Sequence, residues 1–212
     1  NKIKNENLEK LPKLSKEIRI GSCVTNPQKF IGIGLNFKDH AKEQNLPIPE
    51  EPIIFFKSPS CITGPNDEIL IPKDSNKTDW EVELGLVISK KAQYIKEEDS
   101  LNHIFGFFVV NDVSERDWQK KRSGQWVKGK SADTFGPIGP YIVTTDELKD
   151  FQDLDMFLEV NGKRMQEGNT NKMIFKIKFI ISYLSKFMTL LPGDIITTGT
   201  PPGVGESRSP AV

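Results

Sequence analysis

Cysteine is nearly absent from this chain. Of 212 residues only Cys23 and Cys61 carry a thiol, so no disulfide framework can hold the fold, and no Cys and His spacing resembles a zinc site. That scarcity suits a reducing compartment, and the expected location is the cytoplasm. Charge of one sign is lacking too: 29 Lys and Arg balance 29 Asp and Glu, which leaves no global field to gather nucleic acid or an anionic membrane. The expected partner is therefore a small molecule. Long apolar runs are also missing. The most apolar stretch, FIISYLSKFMTLL (179–191), is shorter than the ~20 residues a membrane span needs and carries Lys186. No signal-peptide pattern is visible. Because the first residue is Asn rather than Met, the true start is expected to lie upstream.

What is present reads as one mixed domain with a single sizeable core. Residues 1–28 form a lead-in whose first twenty are charged and weakly periodic, either flexible or a short outer helix. From residue 29 onward, short apolar runs are divided by Pro, Gly and Asn: KFIGIGLNF (29–37), PIIFFK (52–57), DEILIP (67–72), WEVELGLVIS (80–89) and IFGFFVVND (104–112). Each predicts a strand. Met173, Ile177, Ile180, Leu184 and Phe187 recur at helical spacing and predict a core-packing helix closed by Leu191 and Pro192. LEVNGKRMQ (158–166) predicts a hairpin turning at Asn161 and Gly162.

Among the strands, DWEVELGLVI (79–88) carries the most chemistry. Alternation puts Trp80, Val82, Leu84, Leu86 and Ile88 on one face and Glu81, Glu83 and Gly85 on the other. Two acids about 7 Å apart along a strand repel and stay ionised together only if a cation or strong donors hold them. An alternating strand with a wet polar face has the same pattern. A third acid, Asp112, ends the run HIFGFFVVND, ahead of a helix that Ser114 is expected to cap with Asp117 at its third position. Three carboxylates without a His or Cys cluster are hard ligands, suited to Mg²⁺, Mn²⁺ or Ca²⁺ over Zn²⁺.

Two nucleotide motifs fail on context. GQWVKGKS (124–131) has Walker spacing but no strand before it and no helix after it, and GIGLNF (32–37) lacks the third Gly of a dinucleotide fingerprint. Other groups could converge on the acids. His40 and Glu43 in NFKDHAKEQN share a helical face, where the carboxylate would fix the imidazole tautomer and raise its basicity; a solvated surface turn has the same spacing. Arg116 and Gln119 repeat that spacing one turn after Asp112. Lys130, in a loop of small neighbours, could aim an ammonium at a developing oxyanion, and Thr200 in TTGTPPGVG could help hold a carboxylate.

In order along the chain, GLNFKDHAKEQ, EPIIFFK, DWEVELGLVI, NDVSERDWQ, GKSADTFGP and PGDIITTGTPPGVG resemble the fumarylacetoacetate hydrolase family from about Phe30 to the end. Among its branches the sequence looks most like the one containing fumarylacetoacetate hydrolase domain-containing protein 2, whose bacterial members carry conflicting lyase and isomerase labels. The resemblance implies an α+β fold, a mixed β-roll of the fumarylacetoacetate hydrolase C-terminal domain type, strand-rich with few helices, over 29–212. It implies that Glu81, Glu83 and Asp112 ligate Mg²⁺ or Mn²⁺, ahead of Ca²⁺, and that Lys130 stabilises charge on the substrate oxygen. Arg116, Gln119 and Thr200 would contact substrate, and His40 and Glu43 would form a dyad on a lid. A homodimer is implied as well. Relatives continue for roughly another 30 residues with closing strands, so the chain is expected to lack its last strands.

The expected activity is metal-dependent chemistry on small 2-oxo or enol acids: acylpyruvate hydrolysis, or oxaloacetate decarboxylation or tautomerisation. Isomerisation or decarboxylation of hydroxyheptadienedioate-type compounds is an alternative. So is a non-catalytic binding protein on the inherited fold.

Overall fold

Short apolar runs punctuated by Gly and Pro can bury themselves only by pairing, and the chain pairs them into one mixed sheet. The structure, a computed structural model, describes residues 8–15, 17–148 and 150–208. Its strands are β1 (Phe30–Gly34), β2 (Ile53–Lys57), β3 (Ile62–Thr63), β4 (Thr78–Asp79), β5 (Val82–Ile88), β6 (Ile104–Asn111), β7 (Ser114–Glu115), β8 (Gly136–Thr144), β9 (Asp155–Val160), β10 (Lys163–Asn169) and β11 (Ile195–Thr197). Four α-helices accompany them: α1 (Lys38–Glu43), α2 (Arg116–Lys121), α3 (Val127–Lys130) and α4 (Ile177–Phe187).

The main sheet runs β2-β1-β11-β5-β6-β8-β3. Pairings of β1 with β11 and of β3 with β8 are parallel, and the rest are antiparallel. β5 lies at the centre between β11 and β6, so every one of its residues is buried and its two faces have different neighbours. Val82, Leu84, Leu86 and Ile88 face a core completed by Ile177, Ile180, Ile181 and Leu184 of α4. Val87 faces a second core with Phe30, Phe108, Val110, Phe135 and Ile138. Glu83 shares the face of Val87, and Asp112 continues the register of Phe108 and Val110, so the second core becomes polar where these strands end. A wet polar face is thereby excluded: Glu81 is 6% and Glu83 2% exposed.

Several sequence expectations hold. β9 and β10 form the hairpin, with Asn161 at φ 51° and Gly162 at φ 75°, the left-handed pair that a two-residue turn requires. α4 is the amphipathic helix, although Phe187 is exposed and Met173 is buried just outside it. Other expectations need correction. DEILIP (67–72) forms no strand; it crosses the surface with Leu70 and Ile71 exposed and Leu70 N–H donating to Thr134 Oγ1, while Pro72 lacks the N–H a ladder would use. Ser114 does not cap α2. It sits in β7 with its hydroxyl donating to Asp112 O, and the cap is Glu115, whose carboxylate accepts from Asp117 N–H. Lys130 is not in a loop but ends α3. The expected lead-in helix falls partly outside the described residues; within them Leu8–Lys10 make one 3-10 turn, and Arg19 pairs with Asp67. Among the described residues no helix is long and apolar enough to cross a membrane.

Candidate active site

The polar end of the second core is a cluster of opposed buried charges. Asp112 accepts on both oxygens, Oδ1 from Lys57 Nζ at 2.6 Å and Oδ2 from Lys130 Nζ at 2.6 Å. Lys130 Nζ also donates to Glu81 Oε2 at 2.8 Å, and Arg116 Nη1 donates to Glu81 Oε1 at 2.6 Å. Arg116 Nε donates to Asp79 Oδ2 at 2.8 Å, and its Nη1 also reaches Gln119 Oε1 at 3.1 Å. Within this cluster Asp79, Glu81, Glu83 and Asp112 are four buried acids against three buried cations, Lys57, Arg116 and Lys130, which leaves one negative charge uncompensated when all four are ionised; Glu115, buried next to Arg116, is held separately by Ser75 and the Lys77 and Asp117 N–H groups.

That charge falls on Glu83. Its Oε2 accepts from Gly199 N–H at 2.7 Å and from the Thr197 hydroxyl, but no ion pair reaches it among the described residues. Burial pushes the Glu83 carboxyl well above the ordinary carboxylate range, and the charges of Asp112 and Glu81 push the same way. Glu81 shifts oppositely: burial would raise it, but Lys130 and Arg116 outweigh burial and hold it well below that range. Burial likewise opposes the Lys130 ammonium, yet Asp112 and Glu81 keep its pKa above the usual value. Ligand oxygens of Glu81, Glu83 and Asp112 all lie within 4.8 Å of one another. Three buried hard donors with one unbalanced charge could hold a divalent cation.

A cleft opens beside this cluster, lined in part by His40, Glu81, Glu83, Arg116, Gln119, Lys130 and Thr200. Glu43 stands one contact back. Its Oε2 lies 3.1 Å from His40 Nδ1, and its Oε1 accepts from Gly203 N–H at 2.9 Å, so α1 is tied to the TTGTPPGVG loop and His40 is buried rather than on a solvated turn. Burial opposes ionisation of Glu43, but the hydrogen bonds from His40 and Gly203 keep its pKa below the ordinary value. Thr200 has its hydroxyl proton used: it donates to Val82 O at 2.9 Å and accepts from Gln166 Nε2 at 2.8 Å. Arg116 Nη2 is the reverse case. It lies 2.8 Å from Asp79 Oδ2 but off the hydrogen-bond direction, so it is buried without an acceptor among the described residues.

All nine site residues singled out in the sequence therefore meet at this one place. Four others were not singled out. Lys57 braces Asp112 and also donates to Lys130 O at 2.5 Å. Asp79 accepts from Arg116 and from Gly205 N–H at 2.7 Å, and Gln166 bridges Val82 N–H to the Thr200 loop. Asn36 donates to Phe175 O and Thr198 O, which pins the same loop from its far side. Lys57 and Asp79 stood inside quoted motifs, where a charged residue in an apolar run was the available signal. Gln166 and Asn36 offered none.

Fold and cleft together put the chain among the strand-rich, mixed β-roll α+β proteins. Within that class it belongs to the fumarylacetoacetate hydrolase family: the model described as fumarylacetoacetate (FAA) hydrolase C-terminal matches residues 29–212. A Burkholderia multivorans protein that carries only the provisional name of hydrolase is 59% identical over 201 residues, covering 95% of this chain and 71% of that protein. The solved fumarylacetoacetate hydrolase of psychrophilic Exiguobacterium antarcticum superposes with a TM-score of 0.88 at 38% identity, over 97% of this chain and 74% of that one. The 5-carboxymethyl-2-hydroxymuconate delta-isomerase of Mycobacterium smegmatis gives 0.80 at 39% identity, over 88% and 72%. The family thus includes both hydrolases and isomerases.

Proposed function

We propose that the chain is a divalent-metal-dependent enzyme acting on small 2-oxo or enol acids, with hydrolysis of an acylpyruvate-type carbon–carbon bond as its reaction. The single observation that carries this reading is the buried convergence of Glu81, Glu83 and Asp112 with one negative charge uncompensated. Those three residues would hold Mg²⁺ or Mn²⁺, which when bound supplies a Lewis acid for the 2-oxo acid end.

The remaining steps belong to the chain's own side chains. With Nδ1 turned to Glu43, His40 has Nε2 as the proton acceptor for a water in the cleft. That water adds to the distal carbonyl, the adjoining carbon–carbon bond breaks, and its electron pair passes into the enolate of pyruvate. The Lys130 ammonium meets the developing oxyanion, and the proton held on His40 returns to carbon. Arg116 and Gln119, which line the cleft, would contact the substrate. Thr200 acts here by positioning its loop, since its hydroxyl proton goes to Val82 O.

A second reading, isomerisation or decarboxylation without the water step, draws on the likeness to the isomerase. Turnover of acetylpyruvate and oxaloacetate, with Mg²⁺ and with a chelator, separates the two. Pyruvate and acetate released from acetylpyruvate only with metal is the expected result. No turnover of either compound under any metal condition would remove the reading. It also carries a cytoplasmic homodimer, and a monomer mass in sedimentation would remove the dimer.

A further inference from the structure

The glycines of GIGLNF make room for two rings. A Cβ at Gly32 would lie 2.2 Å from the Phe55 ring, and one at Gly34 would lie 2.3 Å from the Trp126 ring. Both rings are pressed onto β1 and onto each other, with centroids 5.6 Å apart at 49°. Phe55 and Trp126, with Leu46 beside them, line the same cleft as His40 and Lys130, and Lys130 Nζ lies 5.1 Å from the Phe55 ring centroid. The aromatic surface therefore begins beside the proposed oxyanion donor and continues from Phe55 to Trp126.

Every cation lining the cleft is already engaged. Lys130 serves Glu81 and Asp112, Arg116 serves Asp79 and Glu81, and Lys120 pairs with Glu206 at 2.5 Å. A carboxylate laid on the ring faces would meet their negative quadrupoles and shed hydration without a paired charge in return. An alkyl or aryl group there would gain the burial of its own surface. We propose that Phe55 and Trp126 form a specificity wall selecting 2-oxo acids whose distal part is apolar and uncharged over those that carry a second carboxylate. This rests on the reading above that the cleft takes 2-oxo acids.

The test is calorimetric binding, in Mg²⁺, of two six-carbon 2-oxo acids, 2-oxohexanoate and 2-oxoadipate, which differ at the distal end. At least tenfold tighter binding of 2-oxohexanoate is expected. Trp126→Ala should cut that ratio about tenfold, while Trp126→Phe, which keeps one aromatic ring though it loses the indole N–H and part of the ring area, should preserve most of it. Equal or tighter binding of 2-oxoadipate by the parent protein overturns the wall. So does a ratio that Trp126→Ala leaves unchanged. Binding of neither compound, nor of pyruvate, refutes instead the assignment of the cleft to 2-oxo acids.

Discussion

Lys57→Met tests whether the charge cluster is a stressed, mutually dependent unit. The ammonium has three protons and three acceptors, Asp112 Oδ1 at 2.6 Å, Lys130 O at 2.5 Å and Val113 O at 3.3 Å, and the Lys57 and Asp112 side chains are both 0% exposed. Methionine keeps most of the stem's volume, so the loss is electrostatic rather than a cavity. Removing one partner of a buried pair costs ~3–5 kcal/mol, because the other charge stays buried. Asp112 keeps Lys130 on its other oxygen, which places the expected cost near the lower end, ~3 kcal/mol. In urea, with a slope of ~2 kcal/mol per molar, the midpoint should fall by about 1.5 M with the slope unchanged. Asp112→Asn, alone and combined with Lys57→Met, completes a double-mutant cycle whose coupling should exceed ~1 kcal/mol. A midpoint shift below about 0.5 M, or additive losses in the cycle, would refute the account of a mutually dependent cluster.

The other predictions concern single groups. Glu83→Gln keeps an acceptor for Gly199 N–H and removes the uncompensated charge. A carboxyl whose folded pKa is raised contributes stability fully below its unfolded pKa, about 4.3, and loses it as pH rises, so without metal the variant should gain on the parent between pH 5 and pH 8. Urea titrations across that range check the sign, and a gap that shrinks with pH would reverse the assignment. Mg²⁺ at a hundred times its Kd should stabilise the parent by ~2.7 kcal/mol and the variant far less. Lys130→Met should cost ~2–4 kcal/mol of transition-state stabilisation, read as kcat/KM on an acylpyruvate. A normal rate would make Lys130 purely structural. His40→Ala should slow acylpyruvate hydrolysis by about 10² with oxaloacetate binding retained, and Glu43→Gln should act more mildly. Parental kinetics in His40→Ala would take the dyad out of the reaction.

The acids were legible in the sequence because their placement is local. Period-two alternation fixes Glu81 and Glu83 on one face, and a strand that ends at Asn111 delivers Asp112 beside them through antiparallel pairing of β5 and β6. Partners that hold those acids were not legible. Lys57 meets Asp112 across 55 positions and Asp79 meets Gly205 across 126, distances over which no periodicity speaks. The misreadings have the same origin. DEILIP has strand composition, but its Leu70 N–H is taken by the Thr134 hydroxyl and Pro72 has none to give, and Ser114 has the chemistry of a cap but was drawn into β7, which left Glu115 to do that work.

Why these acids are buried at all follows from where β5 lies. A sheet face open to solvent could have turned Glu81 and Glu83 to water at no cost, whereas the second core packed on that face leaves both desolvated. Two lysines and an arginine offset most of that cost, yet they reach Asp112 and Glu81 and leave Glu83 with neutral donors only. A fourth cation on Glu83 would have made the cluster self-sufficient. Its absence among the described residues leaves a buried site with one unsatisfied charge, open to the cleft through Glu83, and this imbalance favours an exogenous cation at that end of the sheet.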